Sequence, residues 1–495
     1  MFVLCIGVTW YVWGSLAAGP IIHDEAAYRL QAELFARLRL VGERPPIPWF
    51  FEQFHVLAEP GLTAKYPPGH AALLTPGVWV GLPGLIPLLV TGVSGALLFH
   101  LVRRWCGPLW ALAAMAQWLG APGSLVFRPS YLSESSVECA FLVAVTVFEH
   151  RRRGTGWAWL VALTMAAVAG ALIRPLTALA LFAPLAGATA IAELRSKRLV
   201  GFAVAAAGAT LLAGAWMAWS AGVTGDPRVS PYAQYSKEYM PFEALGFVTD
   251  HTVPDRDLPA DFDAYRRYHL TVQDNHTLHQ LPRIAAQRLR GIASDSWGLF
   301  VVPFALLATL GLGARSGRLM VSGTLLVFVF YLVHAHDPEW RPYYLTLYAG
   351  AAVLTTSGAM RAAAWTARRW RWRPSVSAGL WATISLGLLA ARVPAARQAI
   401  EERGRYVRQF DDAVRALPGD RLLVFVRYAP THSFHQSLVR NSPFLRDARV
   451  WIAHDRGPLN RELILADTSR WPYLYEEIAT PTEPLRRLVP YLPEP

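Results

Sequence analysis

Apolar runs of spanning length, set apart by arginine clusters, constrain this chain more than any other feature. A helix rises 1.5 Å per residue, so about 20 apolar residues cross the ~30 Å hydrocarbon layer of a bilayer. Eleven stretches approach that length: 1–19, 82–102, 108–122, 133–149, 157–172, 175–192, 199–219, 295–311, 317–335, 342–358 and 375–392. With 53% hydrophobic and only 17% charged residues, a soluble protein of this length has nowhere to hide such surface. The expected fold class is an all-α polytopic membrane protein with about eleven or twelve transmembrane helices. The apolar stretch Pro68–Gly81 is too short to span. It is expected to dip into the outer leaflet or pack within the bundle.

The formal charge of +12 invites a nucleic-acid partner, but its distribution excludes one. The basic residues gather between spans, at Arg103–Arg104, Arg151–Arg153, Arg195–Arg198, Arg315 with Arg318, and Arg361–Arg373. Lys and Arg translocate poorly, so such clusters mark cytoplasmic loops. Placing all five inside leaves 20–67, 123–132, the turn at Arg174–Pro175, 220–294, 335–341 and the tail from 393 outside. The N-terminus is then inside and the C-terminus outside. The three cysteines, Cys5, Cys106 and Cys139, lie in or beside spans, so no disulfide staples the outer loops. The run from Met1 lacks a basic n-region and a cleavage site and reads as an uncleaved first helix.

Two regions are expected, a membrane core (1–392) and a small α/β appendage (393–495). The first outer loop, 20–67, holds an amphipathic helix over Asp24–Leu40, with Ala27, Leu30, Leu34 and Leu38 on one face and Arg29, Glu33 and Arg37 on another. Such a helix can lie flat on the bilayer. The second, 220–294, is rich in Tyr, Pro and Asp. In the tail a helical pattern covers about 394–416, followed by β-like runs at Leu422–Arg427 and Arg449–Ala453.

Several motifs sit at outer boundaries. His23-Asp24-Glu25-Ala26-Ala27-Tyr28 places two carboxylates beside hydrocarbon, where charge is costly. Capping of the next helix by Asp24 accounts for one acid and is favoured on spacing alone; the functional reading is a general base. In Lys65-Tyr66-Pro67-Pro68-Gly69-His70 the prolines open a helix, while Lys65 either snorkels or holds a phosphate. Ser130-Tyr131-Leu132-Ser133-Glu134 reads as a capped turn that carries Glu134 to the mouth of a span. Arg174, alone in a long apolar stretch, is an interface residue or an anion ligand. In Glu339-Trp340-Arg341-Pro342-Tyr343-Tyr344 the aromatic residues suit the membrane belt, which leaves Arg341 unexplained. No His/Cys set has metal-ligand spacing on one element, and there is no Walker A or dinucleotide fingerprint.

Taken in order, the outer Asp-Glu-x-x-Tyr, the amphipathic helix, Lys-Tyr-Pro-Pro-Gly, the Ser-Glu turn, the Arg-Pro turn and Arg-Pro-Tyr-Tyr resemble the GT-C glycosyltransferases. The likeness is to the dolichyl-phosphate-mannose protein mannosyltransferases and the bacterial aminoarabinose lipid A transferases, and it covers most of 1–392. The resemblance implies an inverting transfer of a sugar from a polyprenyl-phosphate carrier to an envelope glycan, lipid or protein on the outer face. It implies Asp24 as base with Glu25 beside it, and Lys65 and Arg341 near the donor phosphate. Tyr28, Tyr66, Glu134, Arg174 and Tyr344 are further substrate contacts. It asks for no cofactor beyond the lipid-linked donor, and the sequence gives a divalent metal no support. Here Tyr66 separates the lysine from the prolines, where some relatives have Lys-Pro-Pro. A transporter or flippase is the alternative, and a non-catalytic scaffold a third. A transporter would pair ionisable residues in mid-span; here the candidates gather at the outer interface.

Overall fold

The structure, a computed structural model, describes all residues except 17, 152–156, 299–305, 309, 310, 312, 372, 481–483 and 492–495. In chain order the helices are α1 (Phe2–Trp13), α2 (His23–Ala36), α3 (Pro68–Trp79), α4 (Leu85–Cys106), α5 (Pro108–Gly120), α6 (Pro122–Phe127), α7 (Glu134–His150), α8 (Ala158–Ile173), α9 (Pro175–Arg195), α10 (Val200–Thr224), α11 (Pro231–Tyr239), α12 (Ala260–Asp274), α13 (Leu281–Trp297), α14 (Arg315–Tyr331), α15 (Leu345–Trp370), α16 (Pro374–Arg415) and α17 (Asn460–Ala466). The strands are β1 (Val56–Leu57), β2 (Thr63–Ala64), β3 (Leu422–Arg427), β4 (Val450–His454), β5 (Trp471–Ile478) and β6 (Leu485–Pro490). Pro opens α3, α5, α6, α9, α11 and α16, where its missing N–H costs nothing and its fixed φ suits the first turn.

Each expected span but one coincides with a described helix. The exception, 295–311, falls largely outside the described residues. Among the described helices, α4, α9, α10 and α16 are long and apolar enough to cross a membrane; α1 and α8 are apolar but shorter. The first span is shorter than expected, because α1 stops at Gly14 in a left-handed conformation (φ 76°). Helix α3 has 12 residues, about 18 Å at 1.5 Å per residue, which is short of the hydrocarbon thickness. The bundle packs closely through small residues. A Cβ on Gly323 of α14 would sit 2.5 Å from the Leu181 carbonyl oxygen of α9, so the two backbones touch at that glycine.

The basic clusters occupy one set of helix ends, with Arg103 and Arg104 ending α4, Arg195 ending α9 and Arg315 opening α14. Glu149, at that same end of α7, accepts a hydrogen bond from Ser316 and lies 3.8 Å from Arg104. Glu134 and Arg174 lie at the opposite ends. One polar pair in the bundle was not legible in the sequence. Arg128, fully buried, is paired with Glu138, packed on Trp118 and hydrogen-bonded to Ser124 and the Leu345 carbonyl. It staples α5, α6, α7 and α15.

The appendage corrects two expectations. Helix α16 runs unbroken through position 392, so core and tail share one 42-residue helix. The tail also holds four strands rather than two, in the order β4-β3-β5-β6. β3 is parallel to both β4 and β5, and β6 is antiparallel to β5. Side chains alternate across a strand. Accordingly Val424 and Val426 of β3 pack on Tyr406, Val407 and Phe410 of α16, while Leu423 and Phe425 pack on Ala27, Leu30 and Leu34 of α2. Helix α2 ends at Ala36, short of the expected Leu40, and leaves Leu38 exposed beyond it, but Ala27, Leu30 and Leu34 are covered by protein and do not rest on the bilayer. This contact fixes the helix that carries Asp24.

Candidate active site

The N-terminus of α2 decides the roles of the two acids. Glu25, 2% exposed, turns back and accepts hydrogen bonds from the backbone N–H groups of Ile21 (2.6 Å) and Ile22 (3.2 Å). Glu25 is thus the capping acid, and Asp24, the expected cap, is free of backbone duty. Burial pushes the Glu25 carboxyl up to about 6, against the pull of those N–H groups and of Arg403.

Asp24 is partly exposed and has three side-chain neighbours. Tyr66 Oη donates to Oδ1 at 2.5 Å, His55 Nε2 lies 3.6 Å from Oδ1, and His23 Nδ1 lies 3.0 Å from Oδ2. Burial alone would raise the Asp24 carboxyl; His55, His23 and the Tyr66 hydroxyl outweigh it and hold the group well below 3.8. It is ionised at neutral pH. Burial and the Lys65 ammonium hold the His55 imidazole well below 6.5. His55 has a left-handed backbone (φ 64°), and its N–H is held by Tyr235 Oη at 2.8 Å. A non-glycine residue in that region costs about 1 kcal/mol and persists where its surroundings enforce it.

The expected lysine is the next element. Lys65 is 2% exposed. Its ammonium lies 4.5 Å from the Tyr232 ring centre, 4.7 Å from Tyr235 and 5.7 Å from Tyr66. Among the described residues it has no hydrogen bond or ion pair. Burial lowers its pKa, and the Glu243 and Asp24 carboxylates partly offset that. A desolvated cation with tyrosine faces around it and no anion on it is poised for an anionic ligand.

Tyr66 stacks on Tyr28 (4.4 Å, 16°), and Tyr28 Oη shares a 2.8 Å hydrogen bond with Ser133. Arg174 donates to Glu134 (2.9 Å), Ser133 (3.1 Å) and Tyr331 (2.8 Å). The structure thus joins Asp24, Tyr28, Lys65, Tyr66, Glu134 and Arg174 into one network, with Arg174 largely neutralised by Glu134. It places two expected residues elsewhere. Arg341 pairs with Asp295 (3.2 Å), whose carboxylate also accepts from Tyr348. Tyr344 is fully buried against His336 Nε2 (2.9 Å). Its neighbour Tyr343 instead stacks on Tyr331 (4.8 Å, 13°) under the Arg174 guanidinium.

The sequence reading missed His23, His55, Tyr232, Tyr235, Glu243 and Tyr343 as site residues. Glu243 takes a hydrogen bond from Tyr265 and acts electrostatically on Lys65 together with Asp24. The tyrosine-rich composition of 220–294 was the available signal for this wall; nothing marked His55. One donor of each of His23, Asp24 and His55 falls within 4.8 Å of the others, and three buried imidazole nitrogens of the two histidines make no hydrogen bond. This donor set suits a divalent ion. Such an ion would supply a fixed positive charge there and would tie up the Asp24 lone pairs.

No family model matches the sequence, and no curated protein is similar to it. The solved structures that match in shape include ArnT from Cupriavidus metallidurans bound to undecaprenyl phosphate, at 13% identity over 98% of this chain and 97% of that one, with a TM-score of 0.53. The apo state of ArnT matches at 15% identity over 99% and 96%, with a TM-score of 0.55. The chain therefore shares the fold of these ArnT structures, a multi-pass helical membrane core with a small C-terminal α/β domain, as expected.

Proposed function

We propose that this chain is an inverting glycosyltransferase that takes a sugar from a polyprenyl-phosphate carrier on the outer face of the membrane. The observation that carries the reading is an ionised Asp24 joined through Tyr66 to a buried Lys65 whose ammonium has no hydrogen bond or ion pair among the described residues, at the bundle end opposite the arginine clusters. The ArnT structure that shares the fold was solved with undecaprenyl phosphate, a ligand of the class Lys65 would meet.

Asp24 takes the proton from an acceptor hydroxyl or amine as that atom bonds to the anomeric carbon. The bond from that carbon to the phosphate oxygen breaks on the opposite face, and the electron pair leaves with polyprenyl phosphate. Negative charge grows on the departing phosphate, and Lys65 stabilises it without reorganising. Tyr28 and Tyr66 hold the base in line, and Arg174 with Glu134 fixes the wall behind them. No resident metal is required on this reading, because the base is already ionised and the phosphate already has a cation. The acceptor is an envelope glycan, lipid or protein. The setting is the bacterial inner membrane, with core 1–392 and appendage 393–495 both contributing.

Release of free polyprenyl phosphate from a labelled lipid-linked sugar by the purified protein tests the reading. Movement of intact lipid-linked donor across a vesicle membrane, with no release, would favour the flippase alternative instead.

A further inference from the structure

A stack of five rings crosses the outer side of the site. Phe262 lies on Phe54 (centroids 4.1 Å apart, planes 18°), Phe54 on His23 (4.6 Å, 24°), His23 on His435 (5.5 Å, 16°), and His435 on Trp340 (5.5 Å, 3°). These are offset-stacked separations. Every ring comes from a different part of the chain: α12 in the second outer loop, the first outer loop, the start of α2, the appendage, and the segment before α15.

His23 is the central ring, and its Nδ1 lies 3.0 Å from Asp24 Oδ2. Among the described residues its Nε2 has no hydrogen-bond partner, and the Nδ1 contact is the link from this ring to the carboxylate. Its ring plane is held by the rings packed on it, Phe54 and His435 stacked and His55 tilted at 4.7 Å. His435 is itself delivered rigidly. Its neighbour Phe434 packs against the rings of Tyr265 and Tyr268 at 5.2 Å each, and Gln436 Nε2 donates to the Arg403 carbonyl of α16 at 2.9 Å. The buried Nδ1 of His435 has no partner, as expected of a ring used for its face.

We infer that His435 makes the C-terminal appendage a working part of the catalytic centre: its ring holds His23 in plane and so aims Asp24. His435 is a positioning residue that touches no substrate. The inference rests on the glycosyl-transfer reading, and it gives the appendage a task that the membrane core cannot supply for itself. A reacting group displaced by about 1 Å can lose on the order of 100-fold in rate, so a clamp on the neighbour of the base has a kinetic consequence.

The test uses the full-length protein with His435→Ala and His435→Phe. Two measurements are made: steady-state release of polyprenyl phosphate, and carbethoxylation of His23 by diethyl pyrocarbonate, located by mass spectrometry. In His435→Ala, kcat is expected to fall at least about ten-fold while KM for the donor stays within about two-fold, because Lys65 is untouched. His23 should become several-fold more reactive. His435→Phe supplies the face without the nitrogens and should restore both readouts. A Phe variant as slow as the Ala variant, or an Ala variant with wild-type kcat, overturns the inference. Wild-type protein that releases no polyprenyl phosphate overturns the transfer reading and this role with it. Normal release with His23 equally reactive in all three proteins overturns this inference alone.

Discussion

Tyr66 donates its hydroxyl to Asp24 across 2.5 Å, joining the first residue after the lysine to the acid 42 positions earlier. Both residues were expected at the site, but nothing in the sequence announced the bond between them. Removing the hydroxyl should raise the Asp24 pKa. The sign follows from the depressed value. Asp24 stays ionised, and lends activity and stability, above its ordinary 3.8; both are lost as pH falls through its lower folded value. In Tyr66→Phe that loss moves to higher pH. A pH–rate profile of the two proteins checks this, and superimposable acid limbs would count against the assignment.

The two acids should separate cleanly. Asp24→Asn keeps the shape and removes the base, so turnover is expected to fall roughly 10²–10⁴-fold with thermal stability intact. Glu25→Gln keeps an oxygen for the Ile21 and Ile22 N–H groups and should leave turnover close to wild type. Glu25→Ala loses the cap and should cost about 1 kcal/mol of stability. A Glu25→Gln protein as inactive as Asp24→Asn would make Glu25 a second catalytic acid.

The cations should separate too. Lys65→Met keeps the apolar stem and removes the charge. It is expected to lower turnover more than donor affinity, since the charge on the phosphate grows in the transition state, and Lys65→Arg should recover part of the loss. Arg341→Met, which strands Asp295, should lower the melting temperature and change turnover little. The reverse pattern would return Arg341 to the donor site.

Chelation addresses His23, Asp24 and His55. Turnover is expected to survive dialysis against a strong chelator, because a metal on Asp24 would compete with its work as base. Loss of activity on chelation, restored by one divalent ion and abolished by His55→Ala, would assign the three residues to that metal instead.

Topology is open to labelling. Ala260 and Asp420 are both exposed. Cysteines at these two positions, in a background with Cys5, Cys106 and Cys139 replaced, should react with an impermeant thiol reagent in intact cells whose outer membrane has been permeabilised. Reaction only after lysis would invert the orientation.

What the sequence determined by itself was whatever depends on local composition. Spans follow from runs of apolar residues, and the start of α3 from Pro68, because each is a property of a short contiguous stretch. Asp24, Lys65, Tyr66 and Arg174 were legible because polar residues at the mouth of an apolar run have few other reasons to be there. Tertiary structure alone decided which of them act together. Glu25 and Asp24 are adjacent in the chain, and only the turn of the backbone before α2 gives the cap to one and the free carboxylate to the other. Arg341 and Tyr343 sit two residues apart, yet Asp295 claims the first and the Arg174 wall receives the second. His55 meets Asp24 through a left-handed backbone that no residue pattern announces. His435 reaches His23 from more than 400 positions away, because packing against α2 and α16 brings the appendage back over the membrane core. Contacts of that kind depend on where whole elements come to rest, and no window of sequence contains that information.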